Sequence, residues 1–489
     1  MRDPTQLKVE GHFPHWLTGS LYRGGAGTWD VGNYTAEHWF DGFSRNHRFE
    51  IANGMVSYPS RNGSDEIMDF VHETGRYPEK SFGSDPCKMI FGAFETTFRD
   101  GISPHGNKSS MNIAVSYAPN FPGIIGNSTD GNVPFKTLVI TTDANGLQQI
   151  DPDTLEPIEI LTYQASHALL VNGGQLAAHP VHSSDGSLYN YVHDLSSSPP
   201  AYRVFGIHPP SGETQILANI TDAPPAYIHS LFGTEQHIVL IIWQADFTQE
   251  ANNIVDSIGP WDPERKALFY VINRAHGGIV DKAGNIFVDL PRMNDKSFLS
   301  AARIPNLRVN LGTPNATSKN DLAGSFTRYW LPRQCKSSQI GNGTLETTPA
   351  RIEFSLPYAE ANIELPRINP ARDGKPYRFS YGIHVQKAGN FADSIIKIDA
   401  KKRRWKVWTP GTRHLPSEPI FVSSPNPTSE DDGVLLIVTM DSKSKRSSLV
   451  DIDAKTMKEL GRARMPIVMG YGFHGVWGHA AQGSSLGFK

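Results

Sequence analysis

The sequence predicts an all-β chain folded as a β-propeller, with a helical and loop cap over one face. Three observations point there. Helical periodicity is scarce. Short strand-like runs bounded by Gly, Pro, Asn and Asp dominate, among them TLVITTD (137–143), HIVLIIW (237–243), ALFYVINR (267–274) and VLLIVTMD (434–441). A hairpin unit also recurs: a strand, an Ile-Asp or similar step, a short polar turn, and a second strand. It is written as LQQIDPDTLEPIEIL (147–161), YRVFGIHPPSGETQIL (202–217), IIKIDAKKRRWKVW (395–408) and LVDIDAKTMKELGRA (449–463). Asp, Pro and Gly make the turns. Repeats of this kind suggest small antiparallel sheets arranged radially, which shields their edges. A large β-sandwich is the alternative on these grounds, and the repeats are too degenerate to count blades.

Two segments interrupt the pattern. Residues 103–135 are rich in Gly, Pro, Asn and Ser, and residues 291–333 are polar with short helical stretches. On a propeller such insertions build the cap. No stretch reads as a linker, so residues 1–489 are expected to form one domain.

Net charge is −3, with no basic or acidic surplus to suggest a nucleic-acid partner. The two cysteines, Cys87 and Cys335, make neither a disulfide framework nor a thiolate metal site. The N-terminus, MRDPTQLKVEGHFPHW, has no apolar signal core, and no run approaches the ~18 apolar residues of a membrane span. A cytoplasmic protein is expected, and sequons such as those at Asn33, Asn62, Asn127 and Asn219 are then silent. Peripheral contact with a membrane is compatible with this composition, and nothing in it sets an oligomeric state.

Of the 18 histidines, three stand out by their neighbours. His179 lies in QLAAHPVHSSDG, His229 in AYIHSLFG, and His474 in MGYGFHGVW. They are too far apart in sequence for a local ligand motif. Closure of a propeller would bring them together, one imidazole per blade. Several neutral imidazoles with open positions suit Fe(II) and dioxygen.

The chain resembles the carotenoid cleavage oxygenases, non-haem iron enzymes that split conjugated double bonds. The matching stretches run nearly end to end: GHFPHWLTGSLYRGGAG (11–27), HWFDGFSRNHRFEI (38–51), LAAHP (176–180), YIHSLFGTEQHIVL (227–240), IELPRIN (363–369), SEPIFV (417–422) and GYGFHGVW (470–477). The resemblance implies a seven-bladed propeller with a helical cap. It implies Fe(II) held by four histidines, three of which match His179, His229 and His474. It further implies carboxylates behind the imidazoles, matching Glu364, Glu418 and, where glutamate is usual, Asp143.

The chain departs from the family's pattern in two places. A phenylalanine-rich segment that ends in Phe-His is missing between ALFYVINR and NIFVDL, where only AHGGIVDKAG (275–284) remains. His276 is the one histidine there. Measured from the preceding strand it matches a position that is not a ligand; measured back from the following strand it falls near the ligand's place. Members that cleave stilbenes grip a phenol with a tyrosine and a lysine, which align here with Phe94 and Thr142. The implied substrate is therefore an apolar carotenoid or apocarotenoid, with a stilbene-like molecule less favoured.

Three functions follow from these residues: an Fe(II) dioxygenase that takes an apolar conjugated substrate and O2; a propeller that binds an apolar ligand without turnover because its third-ligand segment is missing; and a zinc hydrolase. The last lacks a recognisable general base.

Overall fold

A computed structural model describes residues 1–78, 81–83, 108–124, 126, 133–163, 167–248, 251, 253–279, 285–310, 323–332, 349–387 and 392–480. Strands dominate, and the helices are few and short. All four predicted hairpins form. Leu147–Ile150 pairs with Pro157–Leu161, Ala201–His208 with Glu213–Ile220, Ser394–Asp399 with Arg404–Trp408, and Arg446–Asp453 with Lys458–Arg464.

The hairpins share one turn. The residue four positions after the turn begins takes a positive φ: Leu155 at 62°, Gly212 at 75°, Arg403 at 51° and Met457 at 62°. In three of them the turn begins with an aspartate whose carboxylate accepts backbone N–H groups. Asp151 accepts from Asp153 and Thr154, Asp399 from Lys402, and Asp453 from Thr456. A carboxylate that satisfies turn N–H groups locally is the physical content of the Ile-Asp step.

Apolar side chains lock each group of strands to the next. Tyr22 shares a buried cluster with Leu138 and Ile150, Val139 and Leu147 with Leu188 and Phe205, and Tyr191 and Val204 with Leu240 and Ile272. Val239 then packs with Val288 and Leu331, Phe326 with Ile396 and Ile398, and Tyr381 and Ile395 with Leu435 and Val450. The series closes when Leu436 and Leu449 join Leu21 and Phe49. Each such side chain, fully buried, contributes roughly 1.5–3 kcal/mol.

Strand pairing closes the series too. Gly19–Arg23 lies between Phe43–Ala52 and Gly475–His479. Lys8–Gly11 joins Lys458–Arg464. The beginning and the end of the chain thus complete each other's sheets.

The two segments expected to build the cap both contain strands. Residues 291–333 carry the helices Ser297–Ala301 and Ile304–Asn310, but also the strand Gly324–Leu331, which pairs with Ile286–Arg292. Residues 103–135 supply the strand Ser116–Pro119, paired with Leu138–Thr141. The Gly-, Pro- and Asn-rich flanks masked these strands in the sequence. Cys87 and Cys335 lie outside the described residues. No described helix is long and apolar enough to cross a membrane.

Candidate metal centre

The three singled-out histidines are placed by main-chain contacts. His179 and Ser230 form a parallel bridge. The His179 N–H donates to the His229 carbonyl at 3.3 Å, and the Leu231 N–H donates to the His179 carbonyl at 3.3 Å. His474 immediately precedes Gly475–His479, and its carbonyl accepts the Gly24 N–H at 2.9 Å. The flanking glycines allow this approach. A Cβ on Gly472 would stand 2.7 Å from the Gly24 carbonyl oxygen, and one on Gly475 2.7 Å from that of Tyr22.

The imidazoles converge. One nitrogen from each of His179, His229 and His474 falls within 4.8 Å of the others. The Nε2 atoms of His179 and His229 are 3.1 Å apart, and the rings of His179 and His474 have centroids 4.3 Å apart. Two of the rings are backed by carboxylates. His229 Nδ1 lies 2.8 and 2.9 Å from the two Asp143 oxygens. His474 Nδ1 lies 2.8 Å from Glu418 Oε1. A carboxylate acceptor keeps the proton on Nδ1 and turns the Nε2 lone pair toward the shared centre.

Electrostatics follow from these contacts. Burial, with the neighbouring imidazoles, pushes His179 well below its ordinary value. Burial also lowers His474, against the pull of Glu418. At His229 burial opposes a charge, but Asp143 outweighs it and the value rises. Burial would raise Glu418, yet Arg367, His474 and Arg23 together bring it down to about 2. The His229 side chain is 45% exposed.

The donor set fits a metal. Two Nε2 lone pairs facing each other at 3.1 Å repel unless a proton or cation lies between them. A first-row ion bonded at about 2.1 Å to two imidazoles at a right angle would set their nitrogens about 3.0 Å apart. Imidazole nitrogen suits Fe, Zn, Cu and Ni.

Comparison with known proteins gives the family. The profile of RPE65, retinal pigment epithelial membrane protein, matches residues 1–479. The chain belongs to the RPE65 family, that of the carotenoid cleavage oxygenases. A torulene dioxygenase of Gibberella fujikuroi is 32% identical over 542 positions, covering 97% of this chain and 91% of the relative. A carotenoid dioxygenase of Neurospora crassa is 33% identical, covering 99% and 90%. Both alignments are longer than the chain's 489 residues, so these relatives carry segments that it lacks. Among solved structures, a Synechocystis apocarotenoid oxygenase variant superposes with a TM-score of 0.69 at 19% identity, covering 98% of this chain and 96% of that one. The RPE65-family fold is thus shared.

In this RPE65-family chain Asp143, Glu418 and the three histidines meet, but other expected residues stand apart. His276 is exposed in the turn after Leu268–Asn273, where Asn273 Oδ1 accepts its N–H. It lines a cleft of about 490 Å³ with Asp185, Tyr189, His208 and Glu235, and does not join the three histidines. Of the two placements that its flanking strands allow, the described geometry has His276 in the turn, outside the three-histidine group. With so short a connection, the hydrogen-bonded turn holds His276 outside the cluster. Glu364 is near the centre without an imidazole of its own: the one described hydrogen bond to its carboxylate comes from the Leu365 N–H at 3.1 Å. Burial raises it to about 7. Thr142 is half-buried just after Leu138–Thr141, beside Asp143. Phe94 lies outside the described residues.

Several residues of the site were not singled out from sequence. Tyr227 donates from its hydroxyl to Asp143 at 2.6 Å. It stands two positions before His229, so i, i+2 spacing was the available signal. Arg23 and Arg367 bind Glu418 at 3.1 and 2.6 Å from remote parts of the chain. The HWFDG motif supplies Trp39 and Phe40, which contact Phe473 at 5.1 and 5.5 Å between ring centroids. Phe82 continues this aromatic wall from Phe40 to Tyr227.

Proposed function

We propose that this chain is a non-haem Fe(II) dioxygenase that cleaves a conjugated C=C bond of a carotenoid, apocarotenoid or related apolar substrate to two carbonyl products. The observation that carries the reading is the convergence of three imidazoles within 4.8 Å, two of them backed by carboxylates. The alkene and one O2 account for every atom of the products. The named activities of the fungal relatives support the same chemistry. The proposal includes one seven-bladed β-propeller over residues 1–489, reading the continuous sheet from Ile286 to Trp408 as two blades. The ring of sheet-to-sheet clusters supports that count.

His179, His229 and His474 would hold the iron, which supplies the activation of dioxygen when bound. Asp143 and Glu418 fix the two rings they touch in the tautomer that presents Nε2. Tyr227 holds Asp143 in place, and Arg23 and Arg367 hold Glu418 ionised. Trp39, Phe40, Phe82 and Phe473 form an apolar wall that excludes water and suits a polyene.

A second reading, an apolar-ligand-binding propeller without turnover, is favoured by one observation: among the described residues no imidazole hydrogen-bonds the Glu364 carboxylate. Anaerobic purification followed by iron analysis, oxygen uptake on an apocarotenoid, and mass spectrometry of the products separates the two. Near one iron per chain with paired carbonyl products is expected. Iron-free protein that takes up no oxygen sinks the dioxygenase reading.

A further inference from the structure

The hairpin of Ser394–Asp399 and Arg404–Trp408 turns through AKKRRWK, a dense run of cations in a chain of net charge −3. Lys401, Lys402, Arg403, Arg404 and Lys406 are all exposed. The neighbouring Asp453 turn adds exposed Lys455 and Lys458. The two hairpins are tied together. Lys406 Nζ donates to the Lys455 carbonyl at 3.4 Å, and buried Lys397 donates to the Ala454 carbonyl at 2.8 Å and to Asp431 at 2.6 Å. The acids of both hairpins are engaged already. Asp399 binds Arg378 and the Lys402 N–H, Asp453 accepts from the Thr456 N–H and hydroxyl, and Glu459 binds Arg462. Cations are therefore in excess at this corner.

The strand that carries them stands at the end of its sheet. Arg404–Trp408 is last in the order of strands, whereas Lys458–Arg464 is covered by Lys8–Gly11. Its side chains alternate between two faces. Lys406 opposes Lys397 in the register, and Arg404 shares that face. Half-buried Trp405 and Val407, 36% exposed, share the other. Cations on an edge strand repel a second copy of the same edge. A strand of opposite charge meets no such barrier.

We infer that Arg404–Trp408 is a docking edge for an extended segment of another protein in which acidic and apolar residues alternate. The segment adds to the sheet through its main chain, with its acids facing Arg404, Lys406 and Lys455 and its apolar side chains against Trp405 and Val407. A lipid surface would meet the lysines but has no main chain to offer the edge. A second copy is repelled by its own cations. The inference does not rest on the metal-centre reading.

The test titrates the full chain, at neutral pH and low salt, into three labelled, end-capped peptides and reads fluorescence anisotropy. One alternates Glu and Val, one is its block isomer with every Glu before every Val, and one alternates Lys and Val. Phosphatidylserine vesicles are the fourth probe. Wild type is expected to bind the alternating Glu-Val peptide about tenfold more tightly than the block isomer, the effect of a few cross-strand pairs. That binding should weaken as salt is raised and should slow hydrogen exchange within Arg404–Trp408. Arg404→Glu combined with Lys406→Glu should turn the preference to the Lys-Val peptide, a gain that a misfolded variant would not show. Equal affinity for the two Glu-Val isomers, or unchanged exchange in this strand, overturns the inference. So does binding to the vesicles in place of the peptide. Binding to no probe overturns it too, and leaves the cations as a guard against self-pairing alone.

Discussion

His179 and His229 are joined twice, by main-chain bonds that run side by side and by Nε2 atoms 3.1 Å apart. The main-chain bridge between these two segments, which lies outside the named strands, brings the two imidazoles side by side. Replacing either ring removes one donor and leaves the bridge intact. His179→Ala and His229→Ala should each lower bound iron at least tenfold and abolish oxygen uptake, while circular dichroism stays unchanged. Iron retained at the wild-type level in both variants would remove these residues from the ligand set.

Asp143 meets the candidate centre at the His229 ring, and it also accepts the Ala178 N–H at 3.2 Å. Asp143→Asn should weaken metal affinity roughly 10-fold to 100-fold, the usual effect of losing a carboxylate behind a ligating imidazole. Tyr227→Phe removes the bond that steadies Asp143 and should act in the same direction, less strongly. Competition with a chelator of known affinity measures both.

Glu418 carries more than His474. Its side chain and that of Arg23 are each 1% exposed, and Arg367 binds its other oxygen. Glu418→Gln leaves the buried Arg23 charge uncompensated, a loss of about 3–5 kcal/mol by comparison with broken buried pairs. The variant should melt far below wild type even in metal-free protein. A shift of only a degree or two would show that Arg23 finds another partner.

Asp451 gives a pH dependence far from the centre. Among the described residues neither of its buried carboxylate oxygens has a hydrogen-bond partner, and burial, with Asp453 nearby, raises it to about 8. Between about pH 4 and pH 8 the folded chain keeps a proton there that the unfolded chain has lost. Folding then takes up a proton, and stability falls as pH rises through that range, by at most ~1.4 kcal/mol per unit. Asp451→Asn should flatten the melting temperature between pH 6 and pH 8. An unchanged slope would mean that Asp451 ionises freely in the folded chain.

The shared turn predicts a smaller effect. Asp453→Ala removes the acceptor for the Thr456 N–H and hydroxyl and should cost about 1 kcal/mol, read by urea unfolding. The same substitution at a surface aspartate outside any turn is the control.

What was legible in the sequence was local. The aspartate turns could be read because each is written within a few adjacent residues. The three histidines could be singled out because each sits in a distinctive stretch, and Asp143, though shorter than glutamate, reaches His229 with both oxygens. What stayed hidden was long-range. Arg23 and Glu418 are separated by 395 positions, and nothing near either one announces the pair. His276 was ambiguous because alignment from its two flanking strands disagrees, and only the hydrogen bonds of its turn decide where it goes. The blades resisted counting because their turns repeat while their strands differ.

The fastening of the last strand, Gly475–His479, onto Gly19–Arg23 also fixes when the centre can exist. A nascent chain still leaving the ribosome has His179 and His229 but lacks the strand that positions His474. Until that strand is in place, one edge of Gly19–Arg23 is unpaired and His474 lacks its main-chain tie to Gly24, so two imidazoles stand without the third.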